Sequence, residues 1–205
     1  MPERTLRLLL AEDVDLVAEA FEALLSTEPS FAVVARVGRG DAVLAAVREH
    51  RPDVAVLDVD LPGVSGIEAA RQVSAEGTGC RVLLLTALPG AGLLNRGLAA
   101  GAAGYLLKAT TGARLIEGIK QVAGGGTVID PQLAAQALRL GPNPLSEREV
   151  DVLRLAEEGL ATRDIAERLH LSPGTVRNYL SEAMTKLDAT TRTEAVRAAR
   201  REGWL

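Results

Sequence analysis

Asp53-Val54-Ala55-Val56-Leu57-Asp58-Val59-Asp60-Leu61-Pro62-Gly63 is the stretch whose reading decides the fold. The run from Asp53 to Leu57 is short and apolar, which suits a strand buried on both faces of a parallel sheet. Asp58 follows it directly. Pro62 restricts the chain and Gly63 tolerates a tight turn, so the loop exposes the Asp58 carboxylate before a helix begins near Ser65.

Outward from that unit the alternation repeats. Leu6–Ala11, Phe31–Val37, Arg81–Thr86 and Gly104–Leu107 are further apolar runs. Between them Val14, Val17, Phe21, Leu24 and Leu25 recur at helical spacing, as do Ala42, Val43, Ala46 and Val47; residues 65–75, 92–101 and 112–123 supply three more helices. Five strands alternating with five helices predict an α/β fold: a five-stranded, doubly wound parallel sheet with right-handed crossovers and helices on both faces. Such a sheet brings the residue after each strand to one rim, and ligands bind there where strand order reverses. Glu12 and Asp13 follow the first strand, Asp58 and Val59 the third, Thr86 ends the fourth and Lys108 follows the fifth.

Singly, each of these is an ordinary loop residue. Together, at four strand exits, they form a candidate site for phosphoryl transfer. That chemistry uses an exposed nucleophile, Mg²⁺ to neutralise phosphoryl oxygens, and fixed cationic or hydrogen-bonding groups around the transferred group. Mg²⁺ favours carboxylate, carbonyl and water oxygens; Glu12, Asp13 and Asp58 offer the first kind and the Val59 backbone the second. Lys108 can pair with the phosphoryl oxygens and Thr86 can donate to one of them. Pro89-Gly90-Ala91-Gly92 reads as a mobile loop after the fourth strand. It completes no Gly-x-Gly-x-x-Gly and so gives only a weak dinucleotide signal.

Residues 1–124 resemble the receiver domain of bacterial two-component response regulators. The resemblance is carried by Glu12-Asp13, by Leu57-Asp58-Val59-Asp60-Leu61-Pro62-Gly63 with Gly66 following, by Thr86-Ala87 and by Lys108. It implies Asp58 as phospho-acceptor, a sensor histidine kinase as donor, and the strand order 2-1-3-4-5. It also implies that Tyr105 is an aromatic switch residue whose side chain moves with the Thr86 loop. Ala109 stands where many receivers have proline, so no rigid cis bond is expected after Lys108.

The rest of the chain has another character. Residues 126–205 show no convincing strand run beyond the first few residues, and Gly124-Gly125-Gly126 and Gly141-Pro142-Asn143-Pro144 frame a linker, 125–144, with room for one short helix at Pro131–Leu140. A net charge of −4 over 205 residues argues against general nucleic-acid affinity. Locally, however, Arg177, Lys186, Arg192, Arg197, Arg200 and Arg201 outnumber Glu182, Asp188 and Glu194. The single Cys80 excludes an internal disulfide framework and is read as a small buried hydrophobe at a strand start. The N-terminus lacks a basic segment followed by a long apolar run, and no apolar stretch reaches the length of about 18 residues that would cross a membrane. A cytoplasmic protein without membrane insertion is expected.

Ser146-Glu147-Arg148-Glu149 has the spacing of a capping box and precedes Val150, Val152, Leu153 and Leu155. A second helix from about Arg163 to Leu169 meets a turn at Leu171-Ser172-Pro173-Gly174, where Ser172 is an N-cap and Pro173 the first helical residue of a third helix running to about Leu187. Thr191-Arg192-Thr193-Glu194 offers a second capping box. An ordinary four-helix domain accounts for the apolar spacing but not for the polar Arg177, Asn178 and Ser181 on the outward side of the third helix. In a helix-turn-helix that helix enters the major groove, where Arg177 can reach guanine or phosphate, Asn178 adenine, and Ser181 a base edge or the backbone. Lys186 is expected on a phosphate.

Residues 145–205 resemble the LuxR-type output domain of the NarL/FixJ group. The matching positions include Leu145-Ser146, Arg148-Glu149, Val152-Leu153, Ile165-Ala166, Thr175-Val176-Arg177, Lys186-Leu187 and Glu194-Ala195-Val196. The run Thr175–Ser181 with terminal Glu202-Gly203-Trp204-Leu205 resembles an actinobacterial branch related to the desaturase-response regulators. The whole therefore predicts a phosphorylation-controlled transcription regulator rather than an enzyme, a receiver followed by a helix-turn-helix domain. It is expected to bind double-stranded promoter DNA at an inverted repeat as a homodimer when active. Resemblance puts the dimer contact in the last helix around Val196 and Ala199, unless those residues belong to the monomer core. Two rivals remain in view: a constitutive DNA-binding protein with a non-switching receiver, and a haloacid-dehalogenase-like phosphohydrolase built on Asp58-Val59-Asp60.

Overall fold

Side chains alternate across a strand, so a strand covered by helices on both faces is apolar at every position. The computed structural model shows this directly. It describes residues 5–87, 90–140 and 143–205; Pro89 of the loop after Thr86, and Gly141 and Pro142 of the linker sequence, lie outside them. The described residues fall into two compact units, divided after Ala135, with 90–93 grouped with the second.

The first unit runs β1 (Leu6–Ala11), α1 (Asp15–Leu25), β2 (Phe31–Val37), a short 3₁₀ turn (Gly40–Ala42) into α2 (Val43–His50), β3 (Val54–Asp58), α3 (Gly66–Glu76), β4 (Arg81–Thr86), α4 (Ala91–Ala99), β5 (Gly104–Leu107), α5 (Gly112–Ala123) and β6 (Val128–Ile129). Every pairing is parallel, in the order β2-β1-β3-β4-β5-β6. The sheet thus has six strands, not five. β6 adds to the edge through Gly104 opposite Val128 and Tyr105 opposite Ile129. Leu8, Leu10, Val54, Val56, Leu83, Leu85 and Leu106 pack with Leu25 of α1 and Leu115, Ile119 and Val122 of α5. The alternate set Leu9, Leu57, Leu84 and Tyr105 is equally buried. Gly63 adopts φ +79°, the left-handed turn its sequence context called for. Cys80 is only partly buried, just before β4, and burial pushes its thiol up to about 12, which leaves it protonated and unreactive at neutral pH.

The remaining helices are α6 (Pro131–Leu140), within which the two units divide, α7 (Glu147–Glu157), α8 (Thr162–Leu169), α9 (Pro173–Lys186) and α10 (Arg192–Arg201). Ser146 and Glu149 close the expected reciprocal capping box. Ser172 caps α9, with Pro173 opening it. At α10 the Thr191 hydroxyl accepts the Glu194 amide, while the Glu194 carboxylate accepts from the amide and hydroxyl of Thr190. Val152, Leu153, Ile165, Val176, Leu180, Ala183, Ala195 and Ala199 form an aliphatic core on which Trp204 and Leu205 pack. Among the described residues no helix is long and apolar enough to cross a membrane.

Candidate functional site

Strand register assembles the first site. Ala11 lies opposite Leu57, Asp58 opposite Leu85, and Thr86 opposite Leu107. Each next residue therefore emerges at the same level: Glu12 beside Asp58, Thr86 beyond Leu85, Lys108 beyond Leu107. Strand order reverses between β1 and β3, where an open parallel sheet leaves a crevice. One carboxylate oxygen from each of Glu12, Asp13 and Asp58 lies within 4.8 Å of the others. Glu12 is buried and so, against the expectation of an exposed carboxylate, is Asp58, because β3 carries it to its last position inside the sheet; Asp13 is exposed, so the cluster opens to solvent on the Asp13 side.

Lys108 bridges the two buried acids. Its Nζ lies 2.7 Å from Glu12 Oε2 and 3.0 Å from Asp58 Oδ2. Burial works to lower the ammonium pKa, but the hydrogen bonds and charges of Glu12 and Asp58 outweigh it, and Lys108 is held above its usual value. The other oxygens, Glu12 Oε1 and Asp58 Oδ1, are shut from solvent and meet no donor among the described residues. Buried carboxylate oxygens without donors are poorly stabilised unless a cation reaches them, and the donor set suits a hard divalent ion.

Gly66 explains how Asp58 is held: a Cβ there would lie 1.9 Å from the Asp58 carbonyl oxygen, so α3 can start against the end of β3 only with glycine. The Gly66 amide donates to the Val59 carbonyl at 2.9 Å. That bond uses one of the two lone pairs of the Val59 oxygen, the backbone atom expected as a metal ligand, and ties it to the start of α3. Tyr105 is fully buried in β5. Burial, followed by the charge of Asp60, drives its phenol well above the usual range, while Arg96 and the Thr86 hydroxyl act in the opposite sense.

The second candidate surface belongs to α9. Val176, Leu180 and Ala183 face the core, which turns Arg177, Asn178 and Ser181 outward, all exposed. Thr175, by contrast, is engaged at the cap: its amide donates to Ser172 Oγ at 3.0 Å and the two hydroxyl oxygens lie 2.8 Å apart. Lys186 departs from expectation. Its ammonium lies 2.8 Å from both oxygens of Glu149, a carboxylate only 1% exposed that also accepts the Ser146 amide at 2.6 Å. Burial alone would raise the Glu149 pKa; the Lys186 and Ser146 hydrogen bonds outweigh it and hold the acid below its usual value. Lys186 thus ties the end of the exposed helix to the cap of α7, a role that sequence reasoning missed because the capping box already accounted for Glu149.

Three other cations of the basic stretch have partners, while Arg197, like Arg177, is exposed and enters no ion pair. Arg192 donates to the Ala156 and Leu160 carbonyls, Arg200 pairs with Glu157 at 2.6 Å, and Arg201 with Glu202 at 2.9 Å. Ala199 is fully buried in the core of its own unit, which removes it from the expected dimer surface, while Val196 is half-buried against the same core.

Comparison with known proteins matches each unit to a family. Residues 8–120 match the response regulator receiver domain and residues 143–199 the bacterial regulatory proteins of the luxR family. The chain is 38% identical over 200 residues, 98% of its length and all of the relative's, to the uncharacterized transcriptional regulatory protein YvfU of Bacillus subtilis. It is 35% identical to the transcriptional regulatory protein DesR of the same organism, covering 96% of this chain and 98% of that one. Among solved structures it resembles the response regulator ChrA of a heme-sensing two-component system (29% identity, TM-score 0.60, 98% of this chain and 99% of that one). It also resembles the receiver domain of NarL from Mycobacterium tuberculosis (33% identity, TM-score 0.58, 60% of this chain and 98% of that one). The chain belongs to the response regulators that join a receiver domain to a LuxR-type DNA-binding domain. It is a phosphorylation-controlled transcription regulator of a two-component system.

Proposed function

We propose that Asp58 is the phospho-acceptor and that the receiver site works through Glu12, Asp13, Lys108, Thr86 and Tyr105. The observation that carries this reading is the meeting of a buried Asp58 with two further carboxylates and one ammonium at the reversal point of the sheet. A sensor histidine kinase supplies the phosphoryl group: an Asp58 oxygen attacks phosphorus, the P–N bond to the kinase histidine breaks, and the imidazole nitrogen takes up a proton. Mg²⁺ held by Glu12, Asp13 and Asp58 supplies neutralisation of the phosphoryl oxygens. Lys108 pairs with the new phosphoryl oxygens, and the Thr86 hydroxyl donates to one of them, drawing its loop inward.

In the second unit α9 lies in the major groove of promoter DNA, with Arg177, Asn178 and Ser181 toward base edges. Thr175 acts there through the helix cap. A short recognition helix samples few base pairs, so the active species is a homodimer on an inverted repeat, with Val196 the remaining α10 candidate for the contact. The regulator works in the cytoplasm, where the kinase domain and the chromosome meet it.

The deciding experiment is a DNA-binding titration with and without a small phosphodonor and Mg²⁺, on wild type and Asp58→Ala, with mass spectrometry of the labelled protein. Phosphorylation at Asp58 should tighten DNA binding and favour the dimer, and Asp58→Ala should abolish both labelling and gain. A DNA affinity indifferent to labelling would favour a constitutive binder. Sustained turnover of a small phosphate ester would favour the phosphohydrolase.

A further inference from the structure

Glycine inside a helix is disfavoured by its backbone entropy, so an interior glycine calls for a local reason. Gly97 lies within α4, and the reason is on the sheet beneath it. A Cβ at position 97 would stand 2.7 Å from Tyr105 Cε2, 2.8 Å from Tyr105 Cδ2 and 2.8 Å from Leu84 Cδ1. Ordinary carbon contacts are about 3.5–4.0 Å. Leu84 and Tyr105 are cross-strand partners in β4 and β5, and both are fully buried. Across the other strand pairing Tyr105 lies opposite Ile129 of β6. Neither side chain can retreat into solvent without leaving the packed layer, so a methyl group at 97 must displace the ring.

We propose that Gly97 is a positioning residue of the switch: its missing side chain is the space in which the Tyr105 ring lies inward near Thr86, so the signal from Asp58 can pass through Thr86 to the ring only with glycine there. The inference rests on the reading of Asp58, Thr86 and Tyr105 given above. It adds a residue that touches neither phosphate nor metal yet decides whether Tyr105 can follow Thr86.

The test uses the full-length protein and three variants: Gly97→Ala, Tyr105→Leu, and the two combined. Nitration by tetranitromethane, located by peptide mass spectrometry, reads the burial of Tyr105 directly. The ring should be protected in wild type and react roughly tenfold faster in Gly97→Ala, the scale expected of one overpacked side chain. Labelling of Asp58 by a phosphodonor should stay at the wild-type yield in Gly97→Ala, while the gain in DNA affinity on phosphorylation should fall by about tenfold. The double variant should match Tyr105→Leu alone, because the space left by the ring lets Leu84, the methyl's other close neighbour, turn aside. If Gly97→Ala folds poorly, Tyr105→Leu should rescue its folding. Protection of Tyr105 together with a full phosphorylation-dependent gain in Gly97→Ala would overturn the proposal, as would a double variant no better folded than a damaged Gly97→Ala. A wild type that gains no DNA affinity on phosphorylation overturns the switch reading instead, and nitration then still reports whether Gly97 holds the ring.

Discussion

A carboxylate that is 1% exposed and an ammonium that is 39% exposed contribute unequally to the same ion pair, and Glu149 and Lys186 are such a pair. Removing the exposed partner leaves a buried charge without compensation; removing the buried one leaves an ammonium that water can reach. Lys186→Met should therefore destabilise the second unit by about 3 kcal/mol or more, and Glu149→Gln by less, measured by urea unfolding. The pH dependence follows from the Glu149 pKa, lowered from an ordinary 4.5. Its contribution to stability is complete above that value and is lost as pH falls through the lowered folded pKa. The stability gap between wild type and Glu149→Gln should accordingly be full at neutral pH and close on acidification below 4.5; a gap constant down to strongly acidic pH would show that Glu149 acts by packing alone. In the first unit, Lys108→Ala and Thr86→Ala should leave Asp58 open to labelling but break the link from label to DNA affinity. Wild-type activation in both would contradict that link.

Helix ends show how far local chemistry determines an element. Ser146, Ser172 and Thr191 cap their helices as their spacing requires, and Ser65 and Thr111 do the same for α3 and α5. α8 lacks this device: Ala161 sits at its N-cap with φ −70° and ψ 157°, the backbone geometry of a capping residue, but with no side-chain oxygen. Ala161→Ser should stabilise the second unit by roughly 1 kcal/mol, raising its melting temperature by about 4–8 °C; no rise would mean that the α8 amides are already satisfied. At the other end His170 holds φ 55° in the turn before α9, and His170→Gly should relieve that left-handed strain in the same assay. Elements with a period or a cap were legible in the sequence: β1, β2, β4, β5, α5 and α6 begin and end where their apolar runs do. β6 was not, because two residues carry no period and Val128 earns its strand only by pairing with Gly104. The carbonyl of Val59 and the pairing of Glu149 with Lys186 were illegible for related reasons. Residue type does not encode where a backbone oxygen points, and a contact between residues 37 apart leaves no local pattern.

At the scale of the whole molecule, charge counted along the chain differs from charge available to a partner. The basic stretch seen in the sequence is partly engaged on folding: Lys186, Arg200 and Arg201 meet carboxylates and Arg192 is tied to carbonyls. Among the described residues of the second unit Arg154, Arg168, Arg177 and Arg197 are exposed and enter no ion pair; Arg168, at the end of α8, and Arg177, in α9, stand on either side of the helix-turn-helix turn. With a net charge of −4, DNA affinity must come from those few cations and from helix placement rather than from general attraction. Arg168→Ala should weaken preferred and unrelated DNA alike and lower the slope of log affinity against log salt by about 0.9 per bound copy, as a lost phosphate contact does. Arg177→Ala and Asn178→Ala should instead narrow the ratio between the two DNAs by roughly 1–3 kcal/mol, the discrimination of a bidentate base contact. Lys186→Met, assayed where it is folded, should change neither the slope nor the ratio, because its ammonium already belongs to Glu149. A salt series on both DNAs separates the three outcomes. If Lys186→Met lowers the slope as Arg168→Ala does, then Lys186 leaves Glu149 for a phosphate when DNA binds, and the anchor described for α9 exists only in the free protein.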